Sequence, residues 1–132
     1  MEILGLDHPQ TVLVIEDKLS FAYRLIEWLE TQGHTVYAYD GVSSIENNVL
    51  IGTKPLNERT AISIDLHKIQ YCFLDHYFAG NAHNGTSLTR ILAPLGIKVC
   101  GMSSVEDANF SMRRSGAICA FRKDVLGRNL GF

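Results

Sequence analysis

The sequence predicts an α/β fold, a parallel sheet wound on both faces by helices. Two observations predict it. Strand-like and helix-like segments alternate along the chain about five times, the pattern of a doubly wound sheet with right-handed crossovers. The first strand-like run, Thr11-Val12-Leu13-Val14-Ile15, is almost continuously apolar and β-branched, as in a strand covered above and below.

Each element has its own signal. After the first strand, Glu16 and Asp17 end the apolar run abruptly. Residues 19–32 then turn helical, with Ala22, Leu25, Ile26 and Leu29 on one face and Gly33 as the residue past the end. Trp28 sits beside Leu25 and Leu29 and reads as partial packing. A short second strand follows over 35–39, and residues 41–48 are expected to start a second helix. Gly52, Pro55 and Asn57 then break any period, and 60–66 alternate Ile62 and Ile64 with Ser63 and Asp65, as an edge strand or hairpin arm would. The third strand of the main sheet is 69–74, ending at Asp75. A polar loop runs from His76 to a helix over 86–92 that Pro94 closes. The fourth strand is 97–102. Ser103 and Ser104 precede Glu106 and Asp107 at capping-box spacing, so they are expected to cap a helix reaching 114 or 115. The last strand is 117–121, and residues 125–132, interrupted by Gly127 and Gly131, are expected to form little helix.

Composition narrows the classes. The 132 residues suit one domain with one core, expected over 1–132. Hydrophobic residues at 46% and charged residues at 20% are a globular balance, and a net charge of −2 offers no basic field for nucleic acid or an anionic membrane. No apolar run approaches the roughly 20 residues of a membrane helix. Residues 1–10 carry Glu2 and Asp7 with no basic n-region, so no signal peptide is expected and the cytoplasm is the expected location. The three cysteines, Cys72, Cys100 and Cys119, each lie in an apolar run. They read as small buried hydrophobes rather than zinc ligands or a disulfide framework.

Ligands of doubly wound sheets bind beyond the carboxyl ends of the strands. Four strands here end in chemistry: Glu16-Asp17, Asp75, Ser103-Ser104 and Arg122-Lys123. On one rim these would place three carboxylates, a hydroxyl and an ammonium together. Carboxylates so crowded repel unless a cation joins them, and Mg²⁺ is the hard, oxygen-seeking choice. A carboxylate beside Mg²⁺ can accept a phosphoryl group, with a lysine neutralising the transferred oxygens. Taken singly, each residue has a plainer role: helix cap for Glu16, Asp17 and Ser103, turn residue for Asp75, solvated surface for Lys123.

In order, these segments resemble response-regulator receiver domains. Val12-Leu13-Val14-Ile15-Glu16-Asp17 is similar to the family's acidic-pair strand, and Phe73-Leu74-Asp75 to the strand bearing its phosphoacceptor. Met102-Ser103-Ser104 matches its hydroxyl position, Gly116-Ala117 with Lys123 its Gly-Ala turn and lysine, and Gly85 with Leu88 the start of its third helix. The resemblance implies a flavodoxin-like sheet of strand order 2-1-3-4-5. It implies Mg²⁺ held by Glu16, Asp17, Asp75 and the backbone carbonyl of Tyr77, with Asp75 as phosphoacceptor and Lys123 and Ser103 assisting. A histidine kinase or phosphotransfer protein would be the donor and a downstream protein partner the reader, with room for a homodimer and no role for nucleic acid or membrane. Such a domain is a switch and not an enzyme in its own right.

The chain departs from the family's pattern in several places. Asp124 stands where a proline usually follows the lysine. The loop after Asp75 is longer and lacks Met-Pro, and the switch aromatic aligns with Ala120, leaving Phe121 on the other face. The segment between the second and third strands is longer than usual, with the insertion placed at 50–67. No output domain is expected in this chain. His76 and His83 flank the active loop with no role assigned. The alternatives are a pseudo-receiver adaptor that works without phosphate, and a haloacid-dehalogenase-type phosphatase. The second would need an acid two residues after Asp75, where Tyr77 stands.

Overall fold

A computed structural model describes residues 4–132; Met1, Glu2 and Ile3 lie outside it, and with them part of the N-terminal reading. Five strands form the parallel sheet: β1 (Thr11–Ile15), β2 (Thr35–Tyr39), β6 (Tyr71–Leu74), β7 (Lys98–Gly101) and β8 (Cys119–Ala120). Their order is β2-β1-β6-β7-β8, so the expected arrangement holds. Ile15 pairs with Tyr39 and Leu74, and Leu74 with Gly101, which brings the strand ends level.

Side-chain alternation sorts the strands onto two layers. Val12, Val14, Val36, Ala38, Tyr71 and Phe73 face α1 (Leu19–Thr31) and α4 (Lys123–Leu130). Leu13, Ile15, Cys72, Leu74 and Val99 face the other way, toward α2 (Gly85–Leu92) and α3 (Glu106–Arg114). Both layers exclude water, which is why β1 reads as an unbroken apolar run.

The segment after β2 departs from expectation. Residues 41–48 do not start a helix. They form β3 (Val42–Glu46), which hairpins into β4 (Val49–Gly52), and β5 (Ser63–Asp65) completes a three-stranded antiparallel sheet. Asn47 and Asn48 turn the hairpin with φ of 52° and 62°, the left-handed pair that a two-residue primed turn requires and that asparagine tolerates. Val42 and Ile45 mimic a helical spacing, but the turn decides the element. The small sheet fills the place expected for the second helix and buries Val42, Leu50 and Ile64 in the α2/α3 layer. The excursion therefore begins at Val42, earlier than residue 50.

Two further corrections concern helix ends. The N-cap of α3 is Val105, with no side-chain cap, so the capping box expected of Ser103 and Ser104 does not form. Glu106 and Asp107 still complement the dipole from the first turn. At the C-terminus α4 is a full eight residues, running through Gly127. Leu126 and Leu130 bury against the sheet, and that packing outweighs the glycine's low propensity.

Candidate functional site

The backbone ladder continues one residue past each strand. The Glu16 N–H donates to the Tyr39 carbonyl (3.1 Å) and the Asp75 N–H to the Ile15 carbonyl (3.0 Å), so two carboxylates meet on adjacent strand ends. Both are buried, while Asp17, next along, faces solvent. Oxygens of Glu16, Asp17 and Asp75 all lie within 4.8 Å of one another.

Lys123, the first residue of α4, closes the group. Its ammonium lies 2.8 Å from Oε1 of Glu16 and donates to Glu16 Oε2 and Asp75 Oδ2, each at 2.9 Å. Glu16 Oε2 also takes the Lys18 N–H (2.9 Å), and Asp75 Oδ1 the His76 N–H (2.8 Å). One lysine is not enough. Burial, then the Asp75 charge, push the Glu16 carboxyl up to about 8, against the opposing pull of Lys123 and the Lys18 N–H. Burial lowers the Lys123 ammonium, but its hydrogen bonds to Glu16 and Asp75 outweigh that and hold it above its ordinary value. Apart from the Lys123 ammonium 2.8 Å away, Glu16 Oε1 is buried with no hydrogen bond of its own. A buried lone pair among crowded carboxylates is what a small hard cation would take up, so the donor set fits Mg²⁺.

The hydroxyl side is built differently. Ser103 is buried at the end of β7, and its Oγ accepts the Val105 N–H (3.1 Å). Asn109 of α3, which sequence reasoning missed, grips the Ser103 backbone at both ends. Its Oδ1 accepts the Ser103 N–H (2.9 Å) and its Nδ2 donates to the Ser103 carbonyl (2.8 Å). A buried asparagine one turn into a helix carries no sequence signal of what it clamps. Phe121 packs in the α1/α4 layer, on the face the strand alternation assigns it.

The loop after Asp75 is held at both ends. Gly85 opens α2 against the end of β6: its N–H donates to the His76 carbonyl (2.8 Å), and a Cβ there would lie 2.5 Å from the Asp75 carbonyl. The far side of the loop is tied to the small sheet, where the Val42 N–H donates to the Ala79 carbonyl (3.0 Å). Gly80, at φ +97°, allows this, since a Cβ would sit 2.0 Å from the Val42 carbonyl. Tyr77 is exposed and stacks edge-on against His76, centroids 4.5 Å apart. His76 is buried, its Nε2 sharing a hydrogen bond with Thr86 Oγ1 (2.9 Å), which in turn meets Ser111 Oγ (2.8 Å). Burial holds the His76 ring below the usual histidine range, with Asp75 opposing. His83 stays in the outer loop, 3.5 Å from Ser87 Oγ.

No family model matches the sequence, and no curated protein matches it. Solved structures do. The chain superposes on a two-component response regulator from Clostridium difficile with a TM-score of 0.60, at 11% identity, over 92% of each chain. The fold is that of a receiver domain. The receiver domain of a DNA-binding response regulator from Colwellia psychrerythraea 34H matches with a TM-score of 0.60 and 19% identity, covering 92% of this chain and 94% of that one. The receiver domain of a sensor histidine kinase from Pseudomonas aeruginosa PAO1, solved with magnesium in its active-site cleft, gives 0.57 and 14%, covering 93% and 95%. At such identities the match speaks for the receiver fold alone. Among the described residues, no helix is long and apolar enough to cross a membrane.

Proposed function

We propose that this chain, a single domain over its length, is a phosphoacceptor receiver of a two-component or phosphorelay system, taking a phosphoryl group on Asp75. The observation that carries the reading is the Lys123 ammonium bridging buried Glu16 and Asp75 at 2.8–2.9 Å, with Asp17 alongside. Glu16, Asp17, Asp75 and the Tyr77 backbone carbonyl would hold Mg²⁺, whose chemistry is to neutralise the transferred oxygens and quiet the carboxylates' mutual repulsion. The His76 N–H orients Asp75 through Oδ1. Lys123 donates to Oδ2 and stands ready to bind an oxygen of the incoming group.

The donor is a phosphohistidine of a kinase or phosphotransfer protein. Ser103, at the end of the neighbouring strand, would accept a hydrogen-bonding role to the phosphoryl group, giving up its Val105 N–H contact and shifting β7, α3 and β8 between two states. A downstream protein reads that shift, directly or through a homodimer. Incubation with Mg²⁺ and acetyl phosphate, read by intact mass, tests this. The parent should gain one phosphoryl group only with Mg²⁺, and Asp75→Asn should gain none.

One observation favours a second reading, an adaptor that works without phosphate. The three-stranded sheet occupies the place expected for the second helix and is bonded to the acceptor loop. Mg²⁺ titration separates the two, because the adaptor has no need to bind it.

A further inference from the structure

The α1/α4 layer holds a feature that the acidic site does not use. Cys100 on β7 and Cys119 on β8 are direct register partners in adjacent parallel strands. Both side chains belong to the same layer, Cys100 within its core and Cys119 packed against it. Neighbouring strands run about 4.8 Å apart. A disulfide asks for Cα atoms roughly 4.4–6.8 Å apart, so the backbone needs no large movement to join them.

The two thiols are unlike. Cys100 is fully buried, whereas Cys119, on the short edge strand, is partly open to solvent. The Tyr71 hydroxyl lies 3.9 Å from Cys119 Sγ. The adjoining Cys100 thiol, then the Tyr71 hydroxyl and the Arg113 charge, hold Cys119 below the usual thiol range despite its burial. The same contact, with full burial, pushes Cys100 well above it. A partly accessible thiol beside a second, fully buried thiol is the arrangement of an attacking and a resolving cysteine.

We propose that Cys119 and Cys100 form a reversible thiol–disulfide pair that responds to hydroperoxides. The Cys119 thiolate attacks the distal oxygen of the peroxide, breaking the O–O bond; it becomes a sulfenic acid and hydroxide or alkoxide leaves. The Cys100 thiol then attacks that sulfur, the S–S bond forms, and the sulfenic oxygen leaves as water with the thiol's proton. Two thiols are oxidised and one peroxide is reduced. The bond ties β8 to β7 where their ends lead to Lys123 and Ser103 respectively. Cys72, on the opposite face of the sheet and fully buried, takes no part.

The full chain, reduced and then treated with hydrogen peroxide under native conditions, should lose two hydrogens in intact mass. Peptide mapping should link Cys100 to Cys119, and dithiothreitol should reverse the change. Cys100→Ser should stop at a sulfenic acid on Cys119, trapped as a dimedone adduct, Cys119→Ser should leave Cys100 unreacted, and Cys72→Ser should behave as the parent. The proposal is overturned if Cys119 stays unmodified in both the parent and Cys100→Ser, or if the only disulfide found joins two chains. These readouts do not depend on whether Asp75 accepts phosphate, so either idea can fail alone.

Discussion

The carboxyl-end rim of the parallel sheet and the three-stranded sheet beside it are both built from strands, yet they organise their residues in opposite ways. On the rim, buried charge is concentrated: Glu16 and Asp75 share one lysine, which lies 2.8–2.9 Å from both. The small sheet is ordinary antiparallel architecture, with Leu50 and Ile64 inward and Val49 and Ile51 outward. The rim crowds buried charge, while the small sheet adds core and braces the loop after Asp75 through Val42 and Ala79. If that contrast is right, substitutions on the rim should change chemistry, and substitutions in the small sheet should change stability.

The largest effect expected is on the rim. Lys123→Ala removes the cation from two buried carboxylates, and phosphorylation of Asp75 by acetyl phosphate should slow by about 10³-fold, equivalent to about 4 kcal/mol. An unchanged rate in the mass assay would mean that the ammonium is structural only. Next comes the core of the small sheet. Leu50→Ala empties a fully buried site and should cost about 3 kcal/mol in chemical unfolding. A single transition should remain, because Leu50 packs in the same layer as Leu13 and Leu74; two transitions would show the small sheet to be a separate unit.

The third prediction is a pH dependence on the rim. Glu16 is raised from 4.5 to about 8 by folding, so between those values the folded protein holds a proton that the unfolded chain has released. That contribution to stability is complete below 4.5 and is lost as pH rises through 8. Metal-free protein should therefore melt at progressively lower temperature between these limits, measured by calorimetry. Glu16→Gln should flatten this trend, and so should saturating Mg²⁺ if the ion binds here. The smallest effect is at the hairpin. Asn48→Gly relieves a left-handed position at φ 62° and should add a few tenths of a kcal/mol without touching phosphorylation. A loss of stability there would mean that the Asn48 side chain, which approaches His67, matters more than the turn.

The same contrast explains what could be read in advance. The rim was legible because burial on both faces writes itself into β1 as an apolar run, and because the charges that break such runs stand out at Glu16, Asp75 and Lys123. The small sheet was not: it is covered on one side only, and the i, i+3 spacing of Val42 and Ile45 suits a helix as well as a bulged strand. The Asn47-Asn48 pair was the available signal, and it outweighed that spacing. Ser103 was found by position, but its cap role was misread, since the chain reaches Val105 before the helix begins. Asn109, Thr86 and Ser111 were invisible, because a hydrogen bond between distant elements leaves no local pattern.

By itself, then, the amino-acid sequence determined the alternation of strands and helices and the chemistry at each strand end, because local periodicity and abrupt polarity are properties of neighbouring residues. Tertiary structure alone decided that Lys123 reaches across 107 residues of chain to Glu16. It also decided that the Asp75 loop is braced by a second sheet and that Cys100 comes to lie beside Cys119. Those are consequences of strand order and register, which are settled when separate segments compete to bury the same sheet.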